Sequence, residues 1–364
     1  VKVAIAHDYV TQRGGAERVV LAMLRAFPDA TLHTLLYDPG STFPEFRGAS
    51  IVTSPLNRLR PLRRSHRASL PLLPLAASRM RVEADVVLAS SSGWAHGFDV
   101  PGRLVVYCHA PARWLYQPEE YLGDAPALSP ARLGLRALAP GLRRWDQRKA
   151  ARGDVYLANS TVVRDRVRAT YGREAEVLAP PFGVDTTGPR EPVPALEGWS
   201  DYHLVVSRLL PYKNVDVAME AFRGLPLERL VVVGAGPERD RLLAAAPPNV
   251  RLVQDLSDAQ LRWVYAGARA LVAPSHEDFG LTPLEAAAFG KPTIALRAGG
   301  YLDTVDPGRT GIYFDDVAAA DLRAAVGQAR TTTWQRAAIA QHAESFSEER
   351  FARRLRQLVA APGA

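Results

Sequence analysis

Short aliphatic runs alternate with amphipathic helical stretches along the whole chain, and the pattern runs through twice. In the first half Val3–Ala6, Thr31–Leu36, Asp85–Ala89, Leu104–Tyr107 and Val155–Leu157 are mostly β-branched or aliphatic and mostly do not alternate with polar residues. That is what strands buried on both faces of a parallel sheet look like. Between them Glu17–Phe27 sets Val20, Leu24 and Phe27 on one helical face, and Val162–Tyr171 behaves alike. The second half offers strands at Leu204–Val206, Leu230–Val233, Val250–Val253, Ala270–Ala273, Thr293–Leu296 and Gly311–Phe314. Helices are expected between them at Val215–Phe222, Glu238–Ala246, Ser257–Ala266 and Pro283–Phe289. Strand–helix alternation builds a doubly wound α/β sheet. Two such sets predict two Rossmann-like doubly wound domains, and 364 residues suit two domains better than one.

The seam is expected in Pro180–Tyr202, which carries Pro180, Pro181, Pro189, Pro192 and Pro194 and few aliphatics. The expected division is residues 1–185, residues 186–345 and a last segment, 346–364. That segment opens its helix at Ser347 with Glu348 and Glu349 in the first turn.

The formal charge is +7, and it is uneven. Eight arginines and no acid stand between Phe46 and Val82, and Arg132–Arg152 is opposed only by Asp146. Such blocks suit an anionic surface, membrane lipid or nucleic acid; an arginine-rich genome gives the same composition without a partner. The basic blocks lack the interleaved aromatics of a nucleic-acid binder, so none is expected. The single cysteine, Cys108, rules out an internal disulfide and a thiolate metal site. It fits a reducing, cytoplasmic compartment. No apolar run reaches the length of a membrane span, and Val1–Tyr9 reads as a strand, not a secretory leader.

In open α/β sheets ligands bind beyond the carboxyl ends of strands, and four clusters stand there. Gly14-Gly15-Ala16-Glu17 opens a helix after the first strand, where glycines allow close approach and the helix N-terminus favours an anion. It is not the G-x-G-x-x-G fingerprint, so no dinucleotide cofactor is expected. His109 follows the strand Leu104–Tyr107, with no second ligand at metal spacing, so no metal is expected. Arg208 and Lys213 follow Leu204–Val206, and Asn214 is a candidate N-cap for the next helix. The loop after Ala273 holds Glu277, the amides of Phe279, Gly280 and Leu281, and Glu285. Thr282, Pro283 and Glu285 also have the spacing of a capping box, an ordinary structural use for Glu285.

These four clusters, in this order, resemble the GT-B fold, family 4 (group 1) retaining glycosyltransferases. Glu277 to Glu285 looks like that family's E-x7-E motif, and Arg208 to Lys213 is similar to its phosphate-binding segment. Pro181-Phe182-Gly183-Val184-Asp185 resembles its interdomain motif, and Gly14–Glu17 its N-terminal glycine loop. The context of His109 and of Lys213 is similar to members that build bacterial surface polysaccharides, often mannosyltransferases using GDP-mannose.

The resemblance implies two domains facing across a cleft and a last helix crossing back to the first. It implies that Arg208 and Lys213 bind a donor pyrophosphate and that Glu285 holds ribose hydroxyls. Glu277 with Phe279, Gly280 and Leu281 would hold the transferred sugar. His109 would contact the sugar or leaving phosphate, and Gly15 would face phosphate and acceptor. The implied reaction is metal-independent retaining transfer of a hexose, without a cofactor, to a glycan, a lipid-linked acceptor or a small molecule. The expected place is the cytoplasm, with the basic segment Arg58–Arg81 docking on anionic membrane where a lipid-linked acceptor would sit; a homodimer stays open. Gln254 stands where the family often has Gly, in a loop bordering the base, so the nucleotide is left open. A nucleotide-sugar epimerase or hydrolase, or a non-catalytic nucleotide-sugar-binding subunit, would use the same fold.

Overall fold

The computed structural model describes residues 1–64, 72–118 and 130–361. The chain forms two compact units, Val1–Pro181 with Glu348–Ala364, and Phe182–Ser347.

The first unit is built on a parallel sheet of seven strands. They are β1 Val3–His7, β2 Thr31–Thr34, β3 Ile51–Thr53, β4 Val86–Ser91, β5 Arg103–Cys108, β6 Val155–Ala158 and β7 Glu176–Val177, in the order β3-β2-β1-β4-β5-β6-β7. Alternate side chains feed two cores: Ala4 and Ala6 go to one face, Ile5 to the other. The second unit has six parallel strands: β8 Tyr202–Val206, β9 Leu230–Val233, β10 Val250–Val253, β11 Ala268–Ala273, β12 Thr293–Leu296 and β13 Gly311–Phe314. Their order is β10-β9-β8-β11-β12-β13. Here Val205 faces one core, Tyr202 and Leu204 the other.

Both sheets reverse direction of growth once, between β1 and β4 and between β8 and β11. At such a switch point neighbouring crossovers leave on opposite faces, and a crevice opens beyond the strand ends. The fold therefore singles out the residues after β1 and β4, and those after β8 and β11.

Two features escape a periodicity reading. Strands β3 and β7 are three and two residues long, too short to show a pattern. The helix Pro130–Ala150 carries Pro140 in its interior. Its one acid, Asp146, is buried, 3.0 Å from His96 Nε2 and accepting from the Tyr116 hydroxyl at 2.8 Å. The exposed positions Arg136, Arg143, Arg144 and Arg148 are therefore not offset by it. In the other basic block, residues 65–71 lie outside the described residues.

The last helix, Glu348–Ala360, packs Phe351, Leu355, Leu358 and Val359 onto the first unit's sheet. This is the i, i+4, i+7, i+8 stripe of a half-buried helix. Arg25 clasps Glu348 with two bonds of 2.5 and 2.7 Å, and Arg103 donates to the carbonyls of Leu358 and Ala361 at 2.8 Å each. No described helix is long and apolar enough to cross a membrane.

One buried group ties the second unit's stability to pH. His203, 1% exposed at the start of β8, is pushed down to about 4 by burial, with Arg269 adding to it. Unfolded, it titrates at about 6.5. The folded form binds fewer protons between these values, so this contribution is full above ~6.5 and is lost as pH falls toward 4. Urea unfolding should show a loss on the order of 2 kcal/mol across that window, and His203→Leu should flatten the slope. An unchanged slope in the variant would remove His203 as the cause.

Candidate functional site

The site in the second unit is assembled by two loops at the β8/β11 switch point. The loop after β8 ends in a single 3-10 turn, Pro211–Lys213, and Asn214 follows with φ 53°. The sequence marks Asn214 as an N-cap, but its side chain caps nothing in the helix Val215–Arg223. Its amide instead donates to the Pro274 carbonyl at 2.9 Å, just past β11. One switch-point loop is thereby tied to the other.

That tie sets Lys213 against Glu277. The ammonium is hydrogen-bonded to Glu277 Oε1, with the two side chains 11% and 21% exposed. Ser275 Oγ donates to the same oxygen at 2.6 Å and lies 3.1 Å from the Tyr301 hydroxyl. Glu277 is thus held from two sides, and its carbonyl accepts from Gly300 N–H at 2.8 Å. Gly300 has to be glycine, since a Cβ there would stand 2.2 Å from Phe279 Cα. Gly280 has φ +83°, a left-handed backbone that side chains resist, and the Tyr301 ring fills the place of its Cβ. Among the described residues the N–H groups of Phe279, Gly280 and Leu281 meet no acceptor. Unpaired amides and a sheltered cation are groups of the kind that can meet an anion.

Glu285 departs from its capping-box expectation. The helix Thr282–Ala288 has Leu281 as N-cap, with no side-chain cap. The Glu285 carboxylate accepts from the Tyr265 hydroxyl at 2.7 Å, and Tyr265 stacks on Phe289 with centroids 5.4 Å apart. A carboxylate steadied in this way has lone pairs left for hydroxyl donors. Arg208 is exposed after β8 and makes no ion pair among the described residues.

The first unit has its own polar edge at the β1/β4 switch point. His7 ends β1, and its Nδ1 lies 3.0 Å from the Ser90 carbonyl on β4. His109, just past β5, brings Nε2 to 2.7 Å from Ser90 Oγ. The two imidazoles stand edge to face at 6.4 Å. Burial drives the His109 pKa down to about 3, and His7 adds to it, so the ring is neutral. Gly15 opens the helix Gly15–Ala26. Two residues on, Glu17 is buried, its Oε2 has no hydrogen-bond partner among the described residues, and burial raises its pKa.

Sequence reasoning missed Ser275, Tyr301 and Tyr265, which orient the two glutamates, and His7 and Ser90, which surround His109. His7 and Ser90 stand at ends of strands flanking a switch point, so strand order would have flagged them. The tyrosines act from 20 or more residues away and leave no local signal.

Residues 13–187 match the family described as Glycosyltransferase Family 4, and residues 194–346 match Glycosyl transferases group 1. A glycogen synthase of Thermus thermophilus is 36% identical over 140 residues, 36% of this chain and 30% of that protein. A D-inositol 3-phosphate glycosyltransferase of Actinosynnema mirum is 32% identical over 237 residues, 56% of this chain and 57% of that protein. The chain therefore spans from under a third to just over half of these curated relatives. Among solved structures, Anabaena Alr3699/HepE in complex with UDP superposes with a TM-score of 0.71 at 18% identity, covering 99% of this chain and 100% of the other. Sucrose-phosphate synthase from Thermosynechococcus elongatus gives 0.71 at 19%, covering 99% and 98%. These likenesses carry the fold, two Rossmann-like units of the GT-B kind.

Proposed function

We propose, for a chain that belongs to the glycosyltransferases of family 4 and group 1, that it moves a hexose from a nucleotide-sugar to a hydroxyl acceptor with retention. The carrying observation is the corner where Lys213 meets Glu277 beside the amides of Phe279, Gly280 and Leu281. Transfer requires a nucleoside diphosphate to leave an anomeric carbon. Its barrier falls when charge growing on the β-phosphate meets donors already in place. Lys213, Arg208 and the free amides supply them without asking for a metal ion. Glu277 accepts sugar hydroxyls, and Glu285, steadied by Tyr265, accepts ribose hydroxyls. Gly15 faces phosphate and acceptor, and His109 offers an uncharged hydrogen-bonding group to the sugar or leaving phosphate. In our reading the acceptor attacks on the face the phosphate leaves: the C–O bond to phosphate breaks, the new C–O bond forms, and the acceptor's proton passes to the leaving oxygen. Mannose from GDP-mannose is the donor we favour, on the resemblance around His109 and Lys213. UDP and UDP-glucose occupy the related HepE structures, so uridine donors are the main competitors.

A transfer screen over GDP-, UDP-, ADP- and dTDP-hexoses with glycan, lipid-linked and small-molecule acceptors tests this reading. Release of nucleoside diphosphate that rises with acceptor supports it. Sugar release or isomerisation independent of acceptor would make the chain a hydrolase or epimerase, and no turnover with micromolar nucleotide binding would make it a binding subunit.

Peripheral contact with anionic lipid at the cytoplasmic face is assigned to the basic segment Arg58–Arg81, of which residues 65–71 lie outside the described residues, and the exposed arginines of Pro130–Ala150 add a second basic surface. Flotation should recover the protein with anionic vesicles at least about fivefold over neutral ones at low salt, and lose it at high salt. Equal recovery would end that part of the proposal.

A further inference from the structure

We propose that Ser90 is a positioning residue that holds His109 as the neutral Nδ1–H tautomer, so that His109 works as a hydrogen-bond donor and not as a proton acceptor. This rests on the reading of His109 as a ligand contact, and it adds which nitrogen meets the ligand and in which form. Ser90 is 0% exposed, in the middle of the seven-stranded sheet. Its carbonyl is taken by His7 Nδ1 at 3.0 Å; a carbonyl only accepts, so that nitrogen of His7 carries the proton. Its hydroxyl lies 2.7 Å from His109 Nε2 and has no other acceptor among the described residues. A buried hydroxyl that failed to donate would leave its proton unpaired, at a cost that a 2.7 Å contact removes at once. The hydroxyl therefore donates, Nε2 accepts, and a neutral imidazole then carries its single proton on Nδ1.

The surroundings support the neutral form. Burial comes first in lowering the ring's pKa, to about 3, and His7 adds to it, edge to face at 6.4 Å. Tyr107 stands edge to face on the ring at 5.2 Å, and Asn159 Nδ2 donates to the His109 carbonyl at 3.0 Å, fixing the backbone. With Nε2 occupied, Nδ1–H is the group left for a ligand, and an oxygen acceptor matches it: a sugar hydroxyl or a phosphate oxygen. A general base at this position would need the opposite arrangement, a free lone pair on the ligand side.

The test is nitrogen-15 NMR of histidine-labelled full-length protein at pH 7, with His109→Gln identifying the signal by its loss. The expected wild-type pattern is a protonated Nδ1 and an unprotonated Nε2, and Ser90→Ala should convert it to a mixture of tautomers. Kinetically Ser90→Ala should lower kcat by about 10- to 100-fold, the loss usual for an orienting partner, with donor KM and nucleotide affinity changed less than about threefold. A wild-type Nε2–H or imidazolium pattern, or a variant with the wild-type tautomer and rate, would overturn the proposal. The NMR readout needs no turnover, so failure of the transferase reading would show in the donor screen and leave this result standing.

Discussion

Replacing Lys213 by Ala should lower turnover about 10³-fold or more, and Arg208→Ala should cost a comparable factor, while both proteins stay folded. The size follows from where the charges stand. A fixed donor aimed at developing negative charge is worth about 10²–10³ in rate, more for a cation in a sheltered site. Lys213 is that cation: 11% exposed, pinned beside three free amides. Arg208 is exposed at the same strand end, free of an ion pair among the described residues, and so available to a pyrophosphate. The fold should survive because neither side chain fills a core. Loss of Lys213 leaves Glu277 still bonded to Ser275 and open to water, a cost of about 1 kcal/mol. The two effects should not add, since in the proposed function both groups serve one leaving phosphate. Steady-state turnover with a thermal melt on each variant checks this. Near-normal rates in both would remove the pyrophosphate role, and lost rates with a collapsed melting temperature would mean that only the fold had been damaged.

Much of this architecture is legible in the sequence for a physical reason. A strand buried on both faces of a parallel sheet has to be β-branched or aliphatic nearly throughout, so Leu230–Val233 or Thr293–Leu296 declare themselves without a partner in view. Ile51–Thr53 and Glu176–Val177 lie at sheet edges and carry no such constraint. The helix Pro130–Ala150 hides because Pro140 and a run of arginines mask an apolar stripe carried by Leu135 and Leu142. The site is legible by position and illegible by partner. That Arg208, Lys213 and Glu277 follow strands can be read from one dimension. That Lys213 reaches Glu277 across 64 residues, and that Glu285 turns to Tyr265 and not to its own helix end, depends on strand order. The capping-box spacing around Thr282 fits a local rule that the buried tyrosine overrides.

The pairing of Lys213 with Glu277 has a further consequence, with opposite signs for binding and for rate. Without ligand the ammonium is spoken for by the carboxylate, and the pyrophosphate of the proposed donor would have to compete for it. Glu277→Gln keeps the shape and an acceptor for Ser275 but removes the charge that holds Lys213. Nucleoside diphosphate should then bind as well as before or several-fold tighter, because the cation is released to it. Turnover should nevertheless fall about 10²-fold or more, since the amide no longer gives the transferred sugar a charge-assisted acceptor where the sugar must be oriented as its bond breaks. Calorimetry with GDP and UDP beside steady-state kinetics separates the two. Weaker nucleotide binding would mean that Glu277 supports the phosphate site instead of restraining it. Unchanged turnover would take the carboxylate out of the sugar's reach altogether, and with it the reason for placing transfer at the β8/β11 switch point.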